Sequence, residues 1–241
     1  MKPILFNAEM AQAVREGRKT VTRRAIKPQP TYPRWNQIGW LGWDDGHGYR
    51  MRQPYQDGEV LYVPEPWRCM GMFGETGYVV GFKDGETVRF MFRDKDRAER
   101  WAKYGNKPFE QWQSPYFMPR EAARLFLRAE DVRVERLHDI TEEQAIDEGA
   151  RYTDFGEYTP PWKMSVDGGK TFHGAKPIHH PGYHFKDVER PDQCFESARS
   201  AFANYWGSTI KAADRALYGW AANPWVWVIR FKRIGEGASA E

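Results

Sequence analysis

The spacing of apolar and polar positions predicts amphipathic helices. Asn7 is a favourable capping residue, and the apolar positions that follow it predict a helix over residues 8–16. Thr141 and Gln144 have the spacing of a capping box, and Gly149 can end the short helix that they begin. A further amphipathic helix is predicted by apolar residues at Phe195, Ala198, Phe202, Tyr205 and Trp206.

A second periodicity, alternation at every other residue, predicts β-strands. It indicates a strand over 59–63, a hairpin over 78–92 and one long or two broken core strands over 125–137. The closing segment, 225–234, alternates in the same way and predicts a final strand. Its core-facing residues are expected to be Trp225, Trp227, Ile229 and Phe231.

Three long segments between these elements show no sustained period apart from the hairpin. They are rich in Gly, Pro and aromatic residues and are interpreted as insertions at about 27–57, 68–117 and 150–195, with a short tail at 235–241. No internal repeat or clear linker divides the chain. We therefore expect one α+β domain over residues 1–241 with long loop insertions.

Composition limits the possible classes of protein. Hydrophobic residues make up 41% of the chain, which is typical of a globular protein. Because the formal net charge is only +3, a nucleic acid could be bound only by a local basic patch and not by a globally charged surface. Cys69 and Cys194 suggest no disulfide framework. No apolar run has membrane-spanning length and no signal-peptide pattern opens the chain. A soluble, cytoplasmic monomer without a membrane partner is expected.

The densest charge cluster lies between Arg15 and Lys27, with six basic residues, a single Glu and two threonines. Such a cluster repels itself unless an anionic or electron-rich group approaches, although a solvated basic turn is the ordinary interpretation. Lys19 and Thr22 are three residues apart and would point to opposite faces of a regular strand. Their side chains can converge only if this segment forms a turn.

The same cluster carries a resemblance to a known family. Gly17, Lys19 and Arg24 have the spacing of the G-x-K-x-x-E-x-R signature of the ASCH domain family, whose PUA-like barrel is associated with RNA. Thr22 stands where that signature has Glu. With Thr at this position, the run over residues 17–24 resembles the small bacterial N4-acetylcytidine amidohydrolases, and the insertions resemble those of larger, often phage-borne ASCH proteins.

This resemblance implies a fold and a catalytic site. The fold would be a PUA-like mixed β-barrel flanked by helices. Lys19, Thr22 and Glu148 would be catalytic, acting without metal or cofactor on an acyl group at N4 of cytidine, free or in RNA. Thr22 would be the nucleophile, Lys19 its base, and Glu148 would orient Lys19 or protonate the leaving amine. The helix dipole disfavours a carboxylate in the last turn of a helix, so the presence of Glu148 at this position suggests a functional role.

Other residues are expected to bind substrate. Arg18, Arg23 and Arg24 could hold a phosphate or the cytosine carbonyl oxygen, and a base could stack on aromatic rings of Tyr62, Trp67, Trp35 or Trp40. The histidines match no compact zinc spacing with Cys194, so no metal is predicted. The residues that this excludes are His173, His179, His180 and His184.

Each catalytic candidate also has an ordinary structural interpretation. Lys19 could contact phosphate or solvent, Thr22 could be a turn residue, and Glu148 could form a structural ion pair. A non-catalytic RNA-binding or regulatory module is therefore the alternative function, and an RNA-cleaving enzyme is a third. The RNA-binding alternative predicts affinity that falls steeply with salt and survives Thr22→Ala but not Arg23→Ala.

Overall fold

A computed structural model describes residues 1–30, 32–36, 39–44, 53–105, 111–159, 163–165, 167–169, 173–174 and 178–235. Its first elements in chain order are β1 (Lys2–Pro3), α1 (Ala8–Arg15), β2 (Val21–Ala25), β3 (Tyr32–Asn36), β4 (Gly39–Asp44), β5 (Val60–Tyr62), β6 (Trp67–Phe73), β7 (Gly77–Phe82), β8 (Thr87–Met91) and α2 (Lys95–Gly105). They are followed by β9 (Phe126–Arg136), α3 (Glu142–Asp147), β10 (Arg151–Tyr158), β11 (Lys163–Met164), β12 (His173–Gly174), β13 (Ile178–His184), α4 (Ala198–Thr209), α5 (Arg215–Tyr218) and β14 (Trp225–Ile234). The α+β class expected from the sequence is confirmed.

The chain forms two compact units, each made of segments distant in sequence. Unit 1 comprises Met1–Thr22, Met51–Arg133 and Trp227–Glu241, and unit 2 comprises Arg23–Arg50 and Val134–Val226. Strands β2, β9 and β14 each run from one unit into the other. A single domain over the whole chain stays a prediction.

Unit 1 contains most of a five-stranded sheet with the order β1-β5-β9-β14-β2. Strand β5 pairs in parallel with β1 and in antiparallel with β9, where Leu61 lies opposite Leu127. Both leucines are fully buried, as expected for a strand that carries core residues. The core strand predicted over 125–137 is thus one continuous strand.

A second sheet in unit 1 has the order β6-β7-β8 and encloses an aromatic core. The hairpin predicted around Asp84-Gly85 is confirmed as β7 and β8. Trp67 stacks on Trp101 of α2 with ring centroids 5.3 Å apart, and Tyr78 meets Trp101 edge-on at 4.5 Å. Besides the predicted hairpin, the segment interpreted as an insertion at about 68–117 therefore contributes a third strand, β6, and helix α2 to this packed core.

Helix α1 begins where the sequence predicts. The Asn7 Oδ1 accepts a hydrogen bond from the Met10 N–H at 2.8 Å, and Gly17 follows the helix with a φ of 76°. The turn lies at Glu16 and Gly17, and β2 already begins at Val21. Residues 18–20 are irregular backbone instead of the expected turn over 19–22, so Lys19 and Thr22 do not share a regular strand and the alternation that would separate them does not apply.

In unit 2, helix α3 is fixed at its first turn. Thr141 and Gln144 form the predicted capping box, with the Thr141 Oγ1 accepting from the Gln144 N–H at 3.2 Å. Glu142 also accepts hydrogen bonds from the Ala198 and Arg199 N–H groups. These groups lie in the first turn of α4, where backbone N–H groups have no acceptor within the helix. These contacts tie α3 to α4 within the unit.

Two expectations about regular structure are wrong. The segments predicted to be loops over 27–57 and 150–195 contain antiparallel pairs, β3 with β4, β10 with β13, and β11 with β12. Strand β14 buries both faces, since Val226 and Val228 are as inaccessible as Ile229. A strand covered on both sides has no polar face, so alternation identified only half of its core residues. In the described part of the chain, no helix has the length and apolarity needed to cross a membrane.

Candidate active site

The three residues proposed from the sequence as catalytic are all buried. Lys19 is 3% exposed, Thr22 is 4% exposed and Glu148 is 3% exposed. Burying such groups costs free energy unless hydrogen bonds or charges compensate for the lost water. Among the described residues, the buried polar and charged side chains are Lys19, Thr22, Arg23, Glu65, Gln113, Glu148 and His184.

Lys19 and Thr22 follow the end of α1 in unit 1. The Lys19 N–H donates to the Ala13 carbonyl at 3.1 Å, which holds the segment against the last turn of the helix. The Lys19 Nζ lies 5.7 Å from the centroid of the Phe6 ring, a cation–π arrangement. Thr22 is the second residue of β2, so its backbone direction is set by strand geometry. Both side chains therefore extend from ordered backbone.

Glu148 lies in unit 2 at the C-cap of α3. Its N–H donates to the Gln144 carbonyl at 3.0 Å, and Gly149 then leaves the helix with a φ of 106°. The helix dipole disfavours a carboxylate at this end, as anticipated. A buried cation compensates, since the Nη1 of Arg23 donates to the Glu148 Oε1 at 3.2 Å.

Arg23 is the centre of a buried hydrogen-bonded cluster in unit 2. Its side chain is 0% exposed, and its Nη2 donates to the Gln144 Oε1 at 2.6 Å and to the Glu135 Oε2 at 3.3 Å. Gln144 Oε1 also accepts from the Thr141 N–H, so the capping box and the cluster share an oxygen atom. The cap of α3 and the position of Arg23 are consequently coupled.

One guanidinium faces two carboxylates in this cluster, with its Nη1 donating to the Oε1 of Glu148 and its Nη2 donating to the Oε2 of Glu135. Within the described part of the chain, the Arg23 Nε–H is buried without a hydrogen-bond partner. An unsatisfied buried donor costs about 1–3 kcal/mol, which a bound acceptor would recover.

The residues proposed to bind substrate differ in accessibility. Arg24 is exposed, while Arg18 is half-buried and pairs with Glu16 at 2.5 Å. Tyr62 is half-buried, and burial raises the pKa of its hydroxyl, with the negative charge of Glu121 raising it further.

Trp67 lies in the aromatic core of unit 1 with 0% exposure. A base could stack on its ring only if that core opened. Trp35 and Trp40 are described only as backbone positions of β3 and β4, so their side chains lie outside the described part of the chain.

The histidine-rich segment contains one well-defined buried group. The His184 Nδ1 donates to the Lys186 carbonyl at 2.7 Å, and the His184 Nε2 bonds to the Thr153 Oγ1 at 2.8 Å. His179 is exposed and pairs with Asp154 at 3.0 Å. The side chains of His173 and His180 lie outside the described part of the chain. Within that part, no group of three His, Cys, Asp or Glu residues has an arrangement that could hold a metal ion.

Sequence reasoning missed Glu135 and Gln144 as members of the Arg23 cluster. Gln144 was recognised only as a capping residue, because a capping box depends on local spacing. Glu135 occupies the end of β9, more than a hundred residues from Arg23. No local signal connects residues at that separation, so only the fold could identify them.

Comparisons with protein-family models, curated proteins and solved structures give no match for this chain. The fold is α+β, and unit 2 contains a buried, charged cluster around Arg23.

Proposed function

We propose that the protein is an amidohydrolase that removes an acyl group from N4 of cytidine or a related N4-acylated cytosine nucleoside, and that its five-stranded sheet belongs to a PUA-like barrel of the ASCH type. One observation carries the proposal. The three residues selected by resemblance, Lys19, Thr22 and Glu148, are 3%, 4% and 3% exposed. Ordinary surface roles for a lysine, a threonine and a glutamate would leave them in water.

Burial matters because it separates the catalytic interpretation from the solvated basic turn. Solvent exposure would make Lys19 one more surface cation, with little influence on a neighbouring hydroxyl. Buried polar groups that are not required by the core are a common property of catalytic sites. Arg23 accounts for one oxygen of Glu148, so a structural ion pair explains part of that residue's position.

The proposed chemistry uses a covalent intermediate. Lys19, in its neutral form, takes the proton of the Thr22 hydroxyl as the oxygen attacks the acyl carbonyl carbon. The tetrahedral oxyanion collapses, the bond to N4 breaks, and Glu148 or protonated Lys19 delivers a proton to the leaving amine. Water then hydrolyses the acyl-threonine ester and releases the carboxylic acid. This requires Glu148 to act on the same substrate as Lys19 and Thr22.

Arginines supply the proposed polar contacts to the substrate. The side chain of Arg23 is 0% exposed, so it contacts a substrate directly only if its buried cluster opens. Arg24, being exposed, is better suited to the ribose or to a phosphate of an RNA substrate. This division predicts that turnover of an RNA substrate depends on Arg24 more than turnover of a free nucleoside does.

The direct test is conversion of N4-acetylcytidine to cytidine and acetate, followed by chromatography. Thr22→Val, which keeps the side-chain shape and removes the hydroxyl, is expected to lower kcat by at least about a thousandfold. Thr20→Val is the matched control, because Thr20 is the neighbouring threonine and lies just outside β2. Equal activity of both variants would exclude Thr22 as nucleophile. An unmodified protein without turnover on N4-acylated cytosine compounds would refute the function itself.

A further inference from the structure

The sheet of β6, β7 and β8 presents a second surface with distinct chemistry. On its inner side, Tyr78, Val80, Phe82 and Phe90 are buried in the aromatic core. Side chains alternate along a strand, so the intervening residues point to the opposite side. We call this side the outer face, and the pairing of the strands assigns it Arg68, Gly71, Phe73, Gly77, Val79, Gly81, Thr87, Arg89 and Met91. Met70, in the register shift between Cys69 and Gly71, also belongs to it because its side chain lies over Gly81.

Two glycines of β7 shape this outer face. A Cβ atom at Gly77 would lie 2.4 Å from the Phe73 carbonyl oxygen and 2.6 Å from the Phe73 ring, and a Cβ atom at Gly81 would lie 3.1 Å from the Met70 Cγ. The Phe73 ring and the Met70 side chain therefore lie across the glycines, where any larger residue would push them away. Phe73 is 37% exposed and Met70 is 41% exposed, so each is held by the sheet and still reaches solvent.

The outer face is also basic. Its ionisable members are Arg68 and Arg89, and none of its ten residues is acidic. Trp112 extends it beside β6, because the next residue, Gln113, pairs with Trp67 on the inner side. The Arg68 Cζ and the Lys83 Nζ lie 5.2 Å and 5.9 Å from the centroid of the Trp112 ring, which is 42% exposed.

The cations on this surface are not neutralised by neighbouring carboxylates. In the described part of the chain, Arg68, Lys83 and Arg89 form no ion pair. The carboxylates closest in sequence to Lys83 are those of Asp84 and Glu86, and both are bound by the buried Arg124. Among the residues that the structure describes, nothing compensates the positive charge beside these exposed rings.

We propose that the outer face binds single-stranded nucleic acid. Unpaired bases stack on exposed rings such as Phe73 and Trp112, while phosphates contact Arg68, Arg89 and Lys83. Arg68 to Phe73 spans roughly 15 Å of strand, which suits the two or three bases that an open antiparallel sheet stacks. The inference is independent of the amidohydrolase proposal, since it concerns different residues and requires no chemistry.

The same features argue against other anionic partners. A duplex hides the faces of its bases, so Phe73 and Trp112 would contribute little to its binding. Recruitment to an anionic membrane typically relies on a cluster of about four to eight Lys and Arg residues, more than this surface carries. Aromatic rings between sparse cations match unpaired bases best.

Fluorescence anisotropy of a labelled oligouridylate of about 12 nucleotides, titrated with the full chain, tests the proposal. Binding in the range of about 10⁻⁴ to 10⁻⁶ M is expected, weakening about 20-fold between about 50 and about 200 mM salt if three phosphates are contacted. The RNA duplex of the same length and vesicles containing phosphatidylserine are the competing ligands. Equal or tighter binding of either one would overturn the proposal, as would the absence of oligonucleotide binding.

Variants locate the binding surface. Phe73→Ala and Trp112→Ala should each weaken binding by about 5- to 150-fold, the loss expected for one stacked base. Arg89→Gln changes an exposed side chain and should lower the salt slope by about 0.7. Arg215→Gln is the matched control, because it removes the same charge from an exposed position of α5. If Arg89→Gln and Trp112→Ala bind as well as the unmodified protein while remaining folded, the outer face is not the binding surface.

Discussion

The buried Arg23 cluster makes a stability prediction that depends on few assumptions. Arg23→Met removes the guanidinium and keeps much of its apolar volume, which leaves Glu148 buried opposite an uncharged side chain. Removing one partner of a buried ion pair costs about 3–5 kcal/mol. The contact to Glu135, whose side chain is 20% exposed, adds at most about 1 kcal/mol. We therefore expect a loss of about 4 kcal/mol in the free energy of unfolding, a large part of the stability of most domains.

Urea denaturation followed by both tryptophan fluorescence and far-UV circular dichroism provides the measurement. Two probes are needed because the chain has two compact units, and coincident transitions are the condition for a single free energy. Arg18→Met is the matched control. Its side chain is 28% exposed and pairs with the exposed Glu16, so about 0.5 kcal/mol or less is expected.

A double-mutant cycle separates the ion pair from the volume of the side chain. Glu148→Gln removes the carboxylate charge that Arg23→Met leaves buried opposite an uncharged side chain. The Arg23→Met/Glu148→Gln protein should therefore lose about 2 kcal/mol less than the sum of the two single losses. Additive losses, or a cost below about 1 kcal/mol for Arg23→Met alone, would refute the buried pair as a structural determinant.

Three further predictions concern other parts of the molecule. Burial alone would raise the pKa of Asp84, but hydrogen bonds from Arg124 and Arg15 outweigh it and hold that pKa well below its usual range. The stability that this carboxylate contributes is therefore present above its unfolded pKa and is lost as the pH falls below about 4. Asp84→Asn should reduce the loss of stability on the acid side of the pH profile by on the order of 1 kcal/mol, a value discounted for the partial exposure of Asp84. Thr141→Ala removes the N-cap of α3 and should cost about 1 kcal/mol in the same denaturation experiment, whereas no loss would mean that water replaces the cap. Gly77→Ala, whose Cβ would clash with the carbonyl oxygen and the ring of Phe73, should cost about 1–3 kcal/mol, while Gly71→Ala, with nothing within 4 Å, should be tolerated. Equal melting curves of the two variants would contradict this packing.

Elements controlled by short-range interactions could be predicted from the sequence. Asn7 and the Thr141–Gln144 box determine where helices begin, because a cap satisfies donors only two or three residues away. The Asp84-Gly85 turn was recognisable for the same reason, since the chain reverses between Phe82 and Glu86 with Gly85 at a φ of 87°, a conformation that favours glycine. Each of these features depends on neighbours in the chain.

Elements controlled by distant partners could not be predicted. The strands β10 and β13 lack alternation, because a strand rich in Gly, Pro and His is held by its pairing and not by one apolar face. The role of Arg23 was likewise hidden. The sequence showed a cation in a basic stretch, but it gave no sign that Glu135, Gln144 and Glu148 would surround it. Non-local hydrogen bonds have no signature in a single sequence.

The burial of Arg23 also changes how the RNA-binding alternative must be tested. That alternative predicts that Arg23→Ala abolishes binding, on the assumption that Arg23 contacts phosphate. A side chain with 0% exposure and both terminal nitrogens hydrogen-bonded can reach a phosphate only if its cluster breaks. Loss of RNA binding in Arg23→Ala would then have two equal explanations, unfolding of the protein and loss of a phosphate contact. Arg24, the exposed neighbour in β2, is the informative position. If the basic stretch binds RNA, Arg24→Gln should lower the salt slope by about 0.7 in a protein shown to be folded, and an unchanged slope would count against RNA at this site.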